Sequence, residues 1–536
     1  MRTPLRLAAA ASALTLITGC GPFGDDNDDG EAAGSAEEVE HADGPLVVEG
    51  AFGGDNGFPA RVSFEHVERW DDRSVLRFTV EPLGDDAHDE GDRMIKSGTF
   101  AHYDSGTWDF ALIDTVGSTH YKPLADSDGY NPGSPMPQTW FVGGQFEMEA
   151  HFPLVPDDVE RLTLHAAGDI PPVSGVPVVD GEPPEDPPTG EEDDAFEMEA
   201  GDTLALETRG TDVEGEPEDY VDELHPIVEH PSRTRADGGD EATVGLHADV
   251  LFELDESELT DEAADTLTEV AEQTRAEADP SQPPINVVGH TDGQGSDDHN
   301  QNLSEERANA VHEFLSEELG DDYEYETEGR AADEPVADES ADDEEQREDA
   351  QATNRRVEIS YTLLPEAERE AGADDGDGGG GPLESVVAEP APFREELGEP
   401  VDSGEAQMLE GSPSEVRLDV YPFYRDGAYL VGVFGLETPE DGSAPLDRLE
   451  GTYTGGHLTA FGVRGPDEGE VLRTARVGAV PSGETNGDYL AHRQHSIFME
   501  EGESRVGFAY FPAPPEEVDE VTLDADRFGE FTVPVE

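Results

Sequence analysis

Along most of this chain apolar residues fall at every second position in short runs. Val62, Phe64 and Val67 are followed by Val75, Leu76, Phe78 and Val80, and much later Val416, Leu418 and Val420 are followed by Leu430, Val431 and Val433. Gly, Pro and Asp bound these runs, which predicts short antiparallel strands. Phe152-Pro-Leu-Val-Pro156-Asp-Asp-Val159-Glu-Arg-Leu162-Thr-Leu164 returns as Phe511-Pro-Ala-Pro-Pro515-Glu-Glu-Val518-Asp-Glu-Val521-Thr-Leu523, and Val176-Pro-Val178 and Val533-Pro-Val535 close both stretches. A matched order of strand and turn residues predicts an internal repeat. Residues 43–178 and 413–536 are therefore expected to be two similar all-β sandwich domains, immunoglobulin-like in layout.

Residues 241–364 break that pattern. Val250 to Leu254 predicts a strand, and Thr260 caps a helix whose buried stripe is Leu259, Ala263, Leu267, Val270 and Ala271. Ile285 to Gly289 predicts a second strand. Ser304 is expected to cap a second helix with Ala308, Val311, Phe314, Leu315 and Leu319 inward, which places Arg307 in its first turn. Tyr323–Thr327 and Val357–Leu363 predict two further strands. The fold class is thus multidomain, with a central α/β (βαβαβ-type) domain flanked by the two β-sandwiches.

The joining segments differ in composition. Residues 179–240 read as an acidic linker with short strands around Phe196, Met198, Leu204 and Leu206, and 365–412 as an acidic, Gly-rich linker containing four consecutive glycines. At the N-terminus, Arg2 and Arg6 precede an apolar run from Leu7 to Ile17, and Ile17-Thr-Gly-Cys20 is similar to a bacterial lipobox. That resemblance implies a signal peptide over 1–19, lipidation of Cys20, and an acidic spacer over 20–42 on an extracytoplasmic membrane face. Two or three acyl chains would anchor the chain stably in the bilayer. Cys20 is the only cysteine, so neither disulfides nor thiol chemistry is expected.

Charge narrows the partners. Acids number 129 against 30 bases, for a net charge of -99, which repels nucleic acid and anionic headgroups. Arginine supplies nearly all the bases, since Lys96 and Lys122 are the only lysines. A surface adapted to high salt and a GC-rich codon bias with acidic linkers explain this equally well.

The chemistry concentrates in Gly289-His-Thr-Asp-Gly-Gln-Gly295 and the following Asn300, Leu303-Ser304 and Arg307-Ala308. Asp292 ends an apolar strand and Arg307 lies on the next helix. Brought together, an anion and a cation suit a small zwitterion with free ammonium and carboxylate groups. With Leu251-Phe252, Ser257, Leu259 and the closing run Asn354-Arg355-Arg356-Val357-Glu358, this stretch resembles the OmpA-like peptidoglycan-binding domain. The resemblance implies that Asp292 accepts the ammonium of the diaminopimelate in the wall stem peptide, while Arg307 forks its carboxylate. It further implies contacts from Thr291, Asn300, Asp255 and Asn354, anion contacts near Ser304, and one of Arg355 and Arg356 on the ligand with the other structural. A plain structural ion pair is the duller alternative for Asp292 and Arg307.

Other chemistry finds little footing. Asp297, Asp298 and His299 read as a solvated loop, so no metal is expected, and no calcium loop with a terminal glutamate occurs. No cofactor is expected. No G-x-S-x-G elbow or H-E-x-x-H helix is present, so the chain is not read as an enzyme. Asp333 to Asp349 is strongly acidic and lacks the Gly-Arg that usually precedes Asn-Arg-Arg in the family. A negative loop beside the site should weaken long-range attraction and make binding better at higher salt. The expected function is a membrane-anchored lipoprotein that holds peptidoglycan non-covalently and tethers membrane to wall. The alternative is an adhesion or envelope-assembly lipoprotein whose sandwiches bind a protein partner.

Overall fold

The computed structural model describes residues 44–536 except 54–57, 85–93, 97–109, 365–387, 408–414, 438–456, 479–487, 493–503 and the short positions 136, 138, 167, 211, 240, 262, 321, 338, 340–343 and 467–468. The signal segment, Cys20, the spacer and the glycine run fall outside the described residues.

The N-terminal region comprises β1 (Leu46–Phe52), β2 (Phe58–Arg69), β3 (Ser74–Pro82), β4 (Met94–Lys96), β5 (Ala111–Asp114), β6 (Thr119–Tyr121), β7 (Thr139–Phe141), β8 (Gln145–Phe152), β9 (Arg161–His165) and β10 (Val173–Asp180). One antiparallel sheet runs β1–β2–β3–β8, and a second runs β10–β9–β5–β6. Alternation does what the sequence predicts: Phe58, Ala60, Val62 and Phe64 turn inward on β2, and a bulge before His66 keeps Val67 inside. Residues from both sheets, including Phe78, Leu112, Leu162 and Val176, form one core with Trp140 of β7. The end of β10 runs parallel to the end of β2 and joins the layers.

The segment 179–240, expected as a linker, holds β11 (Thr203–Ala205), β12 (Val221–His230) and β13 (Arg233–Gly238). Strand β12 is a full ten residues. The central region then provides β14 (Glu241–His247), a single turn α1 (Ala248–Leu251), α2 (Ala263–Glu277), β15 (Ile285–Gly289), α3 (Asp297–Leu319), β16 (Tyr325–Gly329), α4 (Glu344–Asn354) and β17 (Arg356–Thr362). The sheet order is β13–β14–β17–β15–β16, with only β15 and β16 parallel. Helices α2 and α3 pack on one face through Leu267, Val270, Val311 and Leu315 against Val244, Val287 and Ile359.

Two expectations fail here. Val250–Leu254 is not a strand: Leu251 and Phe252 are buried but Leu254 is 78% exposed, and the first strand is β14, whose Ala242, Val244 and Leu246 fill the core. Ser304 does not begin the second helix. Ser296 caps it, accepting from the amide of His299, and Asp297 and Asp298 sit at the positive end of the helix dipole. The presumed solvated loop is thus the first turn, and Arg307 lies well inside α3. Thr260 does accept from the amide of Ala263 at the start of α2.

The C-terminal region contains β18 (Asp402–Gln407), β19 (Glu415–Val420), β20 (Tyr424–Asp426), β21 (Tyr429–Glu437), β22 (Gly462–Arg464), β23 (Val471–Val477), β24 (Asp488–Tyr489), β25 (Ser504–Pro512), β26 (Glu520–Asp524) and β27 (Glu530–Pro534). Strand β18 lies in the segment 365–412, so this region begins before residue 413. Its pairings β18–β19, β19–β21 and β21–β25 mirror β1–β2, β2–β3 and β3–β8. Likewise β22–β23, β22–β26 and β26–β27 mirror β5–β6, β5–β9 and β9–β10. Two arginines also correspond. Arg69 donates to the carbonyls of Pro156 and Val159, while Arg425 donates to those of Pro515 and Val518, at matching points of the two Pro-rich turns.

Strand β12 ties the regions together. Val221–Glu223 pairs with β6, Leu224–Glu229 with β23, and Ile227–His230 also with β13. Since β6 and β23 are corresponding strands, one segment serves the same edge of both β regions and continues into the central sheet. Pro226, which lacks an amide proton, falls at the irregularity between His225 and Ile227. The two β regions also meet directly: Ile113, Leu224, Tyr429, Val433 and Tyr510 share a core. There the buried Asp426 accepts from the hydroxyls of Thr115 and Thr163 and the amide of Ala391.

Candidate functional site

The loop after β15 is placed by the backbone. His290 donates its amide to the carbonyl of Arg356, and Thr291 donates its own to that of Ala331. Gly289 and Gly329 let the ends of β15 and β16 press onto α3: an added Cβ would meet the Ser304 carbonyl oxygen at 2.1 Å in one case and the Glu305 amide nitrogen at 2.5 Å in the other. Ser304 itself is buried, with its hydroxyl accepting from the amide of Ala331 and donating to the carbonyl of Gln301. It clamps helix to sheet and has no group to spare for a ligand.

Asp292 stands at the loop's tip with its side chain 14% exposed. Its Oδ1 accepts from the amide of Gln294, and its Oδ2 accepts from Nη1 of Arg355 at 2.7 Å. Arg355 also forks Asp249 through Nε and Nη2 at 3.0 and 2.6 Å. These carboxylate hydrogen bonds, Asp249 first, hold its pKa above the ordinary arginine value despite burial. Asn300 donates its side-chain amide to the carbonyl of Asp292 and so supports the loop from α3.

Arg307 makes no carboxylate pair among the described residues. It is 2% exposed, donates through Nε to the carbonyl of Glu256, and lies with its guanidinium carbon 5.2 Å from the centre of the Phe252 ring. Its Nη1 is buried without a partner among the described residues. Burial lowers its pKa, and Asp249, Arg355, Asp255 and Asp292 all lie close enough to act on its charge. Thr291 Oγ1 is also buried and unpartnered. Asp255 adopts a φ of 60° and places Oδ1 3.5 Å from Nε2 of His299.

The remaining expected residues divide. Asn354 is wholly committed: its Oδ1 accepts from the amides of Val336 and Ala337, and its Nδ2 donates to the Ala337 carbonyl and to Glu339. It orders the acidic loop. Arg356 is also committed, to Glu358 and to the carbonyls of Asn354 and Glu334. Two unexpected residues enter. Asp249 shares Arg355 with Asp292, and Glu339 accepts from the amide of Gly293 at 3.1 Å, pinning the acidic loop beside Asp292. Neither carried a signal, since each is one acid among 129.

The result is an acceptor, Asp292, within charge range of Arg307, whose Nη1, like Thr291 Oγ1, has no partner among the described residues. Such a set can hold a carboxylate and an ammonium together. Among the described residues no group of three or more His, Cys, Asp or Glu side chains is placed to hold a metal, and no helix is long and apolar enough to cross a membrane.

Residues 251–349 match the model of the OmpA family, so the middle of the chain is an OmpA-like domain. Outer membrane protein A of Bordetella avium is 34% identical over 134 residues, spanning 25% of this chain and 63% of that protein. Outer membrane protein A of Shimwellia blattae is 34% identical over 117 residues, spanning 21% of this chain and 48% of that protein. The chain therefore covers less than two thirds of either relative. The solved structure described as the cell wall anchor of the T6SS from Pseudomonas aeruginosa is 28% identical, covers 25% of this chain and 88% of that one, and has a TM-score of 0.22.

Proposed function

We propose that this protein binds peptidoglycan non-covalently through the diaminopimelate of the stem peptide, and that a lipid on Cys20 makes it a tether between membrane and wall. The two flanking β regions are read as copies of one sandwich that hold the binding domain in place. The observation that carries this reading is Arg307: a buried guanidinium, in a chain rich in acids, that has no carboxylate partner for its Nη1 among the described residues and lies within charge range of Asp292. An arginine in that state is costly unless a ligand completes it. The match of residues 251–349 to the OmpA family supports the same ligand class. Asp292 and the exposed Asp255 would meet the ammonium, and Arg307 with Thr291 would meet the carboxylate.

The test is co-sedimentation of the protein with purified sacculi. Arg307→Ala and Asp292→Ala should each abolish retention, and sacculi whose diaminopimelate carboxylate is amidated should retain the unaltered protein poorly. Equal retention of all three proteins would defeat the proposal. The acidic loop pinned through Glu339 supports a salt response of unusual sign: retention should rise as screening relieves repulsion between two anionic surfaces.

A further inference from the structure

The central sheet has a second face. Ala242, Val244, Leu246, Val357 and Ile359 turn toward the helices, so the intervening residues of β14 and β17 turn away from them. On that face Thr243 and Gly245 lie beside Thr234 and Ala236 of β13. Arg476 of β23, Tyr489 of β24, and Pro335 and Val336 of the acidic loop close over this floor and leave a cavity of about 90 Å³. The floor is open at Gly245, where an added Cβ would find only Thr234 atoms, at 3.8 and 4.0 Å.

The charges around the cavity do not balance. Arg356 is used up by Glu358 and two carbonyls. Arg476 gives Nε to the carbonyl of Gly478 at 3.1 Å and pairs with no carboxylate among the described residues. Burial is the main influence on it, and it lowers the pKa. The hydroxyls of Thr234 and Thr243 make no hydrogen bonds among the described residues. Ile227, Ala236 and Val336 supply apolar wall. Glu358 and His247 also line the space, but Glu358 is engaged by Arg356 at 2.7 Å. A guanidinium with no carboxylate hydrogen bond among the described residues, two hydroxyls and an apolar patch describe a pocket for an anion with a short tail. The space is large enough for several waters, which suits an acid of two to four carbons.

We propose that this cavity binds a small aliphatic carboxylate, with its carboxylate on Arg476 and its tail against Ile227 and Val336. The site uses none of the residues assigned to the wall peptide, and it exists only because β23 and β24 are brought against the central sheet through β12. Its ligand would therefore bind between the central and C-terminal regions and stabilise their contact.

The experiment is saturation-transfer NMR of the full chain with propionate as the probe, titrated at constant ionic strength against chloride. Propionate should show a saturable signal. Arg476→Gln should weaken it roughly tenfold or more, the loss expected for a charge-assisted hydrogen bond. Gly245→Val, which fills the floor while leaving Arg476 in place, should remove it, and Arg307→Ala should leave it unchanged. If Arg476→Gln does not fold, Gly245→Val decides alone. No saturation with the unaltered protein, or unchanged saturation in Gly245→Val, overturns the proposal. Displacement of propionate by an equal or lower concentration of inorganic phosphate overturns the carboxylate assignment.

Discussion

Arg355, not Arg307, is the ion-pair partner of Asp292: its Nη1 lies 2.7 Å from Oδ2, while the rest of the same guanidinium grips Asp249. The two cations of the site therefore have different work. Arg355 fixes the orientation of Asp292, while Arg307 donates to the Glu256 carbonyl.

Arg307→Met should separate stability from binding. A buried guanidinium with a free Nη1 costs free energy that a methionine of similar length does not, although the bond to the Glu256 carbonyl is lost. Unfolding free energy is expected to rise by about 1 kcal/mol while sacculus binding disappears. Denaturant titration beside co-sedimentation checks both. A destabilised variant would mean that Arg307 is structural.

Substitution of Arg355 should act on binding through Asp292. Arg355→Ala removes the guanidinium that Asp249 and Asp292 share, and with Asp249 half exposed a loss of about 1 kcal/mol in stability is expected, with wall binding at least roughly tenfold weaker. Lysine can reach only one carboxylate at a time, so Arg355→Lys should fall between the two. An Arg355→Lys protein that binds no better than Arg355→Ala would contradict a positioning role.

Arg69 and Arg425 should be energetically equivalent. Each satisfies carbonyls in a Pro-rich turn, Pro156 and Val159 in one region, Pro515 and Val518 in the other. Replacing either by Met takes the arginine donor from the Val159 or Val518 carbonyl, while the Pro156 and Pro515 carbonyls keep the amides of Val159 and Val518, and should cost about 1–2 kcal/mol. The costs should nearly add in the double variant, because the sites share no partner.

Acid should loosen the contact between the two β regions. His165 of β9 packs 4.5 Å from Phe508 and 5.2 Å from Tyr510, centre to centre, and its Nε2 is buried without a partner among the described residues. Burial holds its pKa well below the ordinary 6.5. The folded state therefore keeps it neutral while the unfolded chain takes up a proton near 6.5. Stability from this group is complete above pH 6.5 and falls below it, by at most about 1.4 kcal/mol per pH unit. His165→Phe should flatten the loss of melting temperature between pH 6.5 and 5. An unchanged slope would place the acid sensitivity elsewhere.

Much of the central fold was legible, for a physical reason. Ile285, Val287, Leu267, Val270, Val311 and Leu315 each point into one core, so their periodicity is written along the chain. The start of α3 was not, because Ser296-Asp-Asp serves a helix cap as readily as a loop. The pairing of Asp292 escaped as well: motif spacing shows which charges are near one another but not which of two arginines takes the carboxylate. Strand β12 was the least visible element. Only Leu224 and Ile227 of its residues are buried, and it is held by backbone bonds along both edges rather than by an apolar face, so it leaves little alternation to read.

That strand also sets an order of events for the nascent chain. Its partner on β23 is made some 250 residues later, an interval of ~10–50 s at ordinary synthesis rates. Through that interval Leu224 to Glu229 present an unsatisfied ribbon edge, the kind of surface on which neighbouring chains add. Within that edge Glu229 disfavours pairing with other acidic chains, and it meets Arg473 when Val471–Val477 closes the edge.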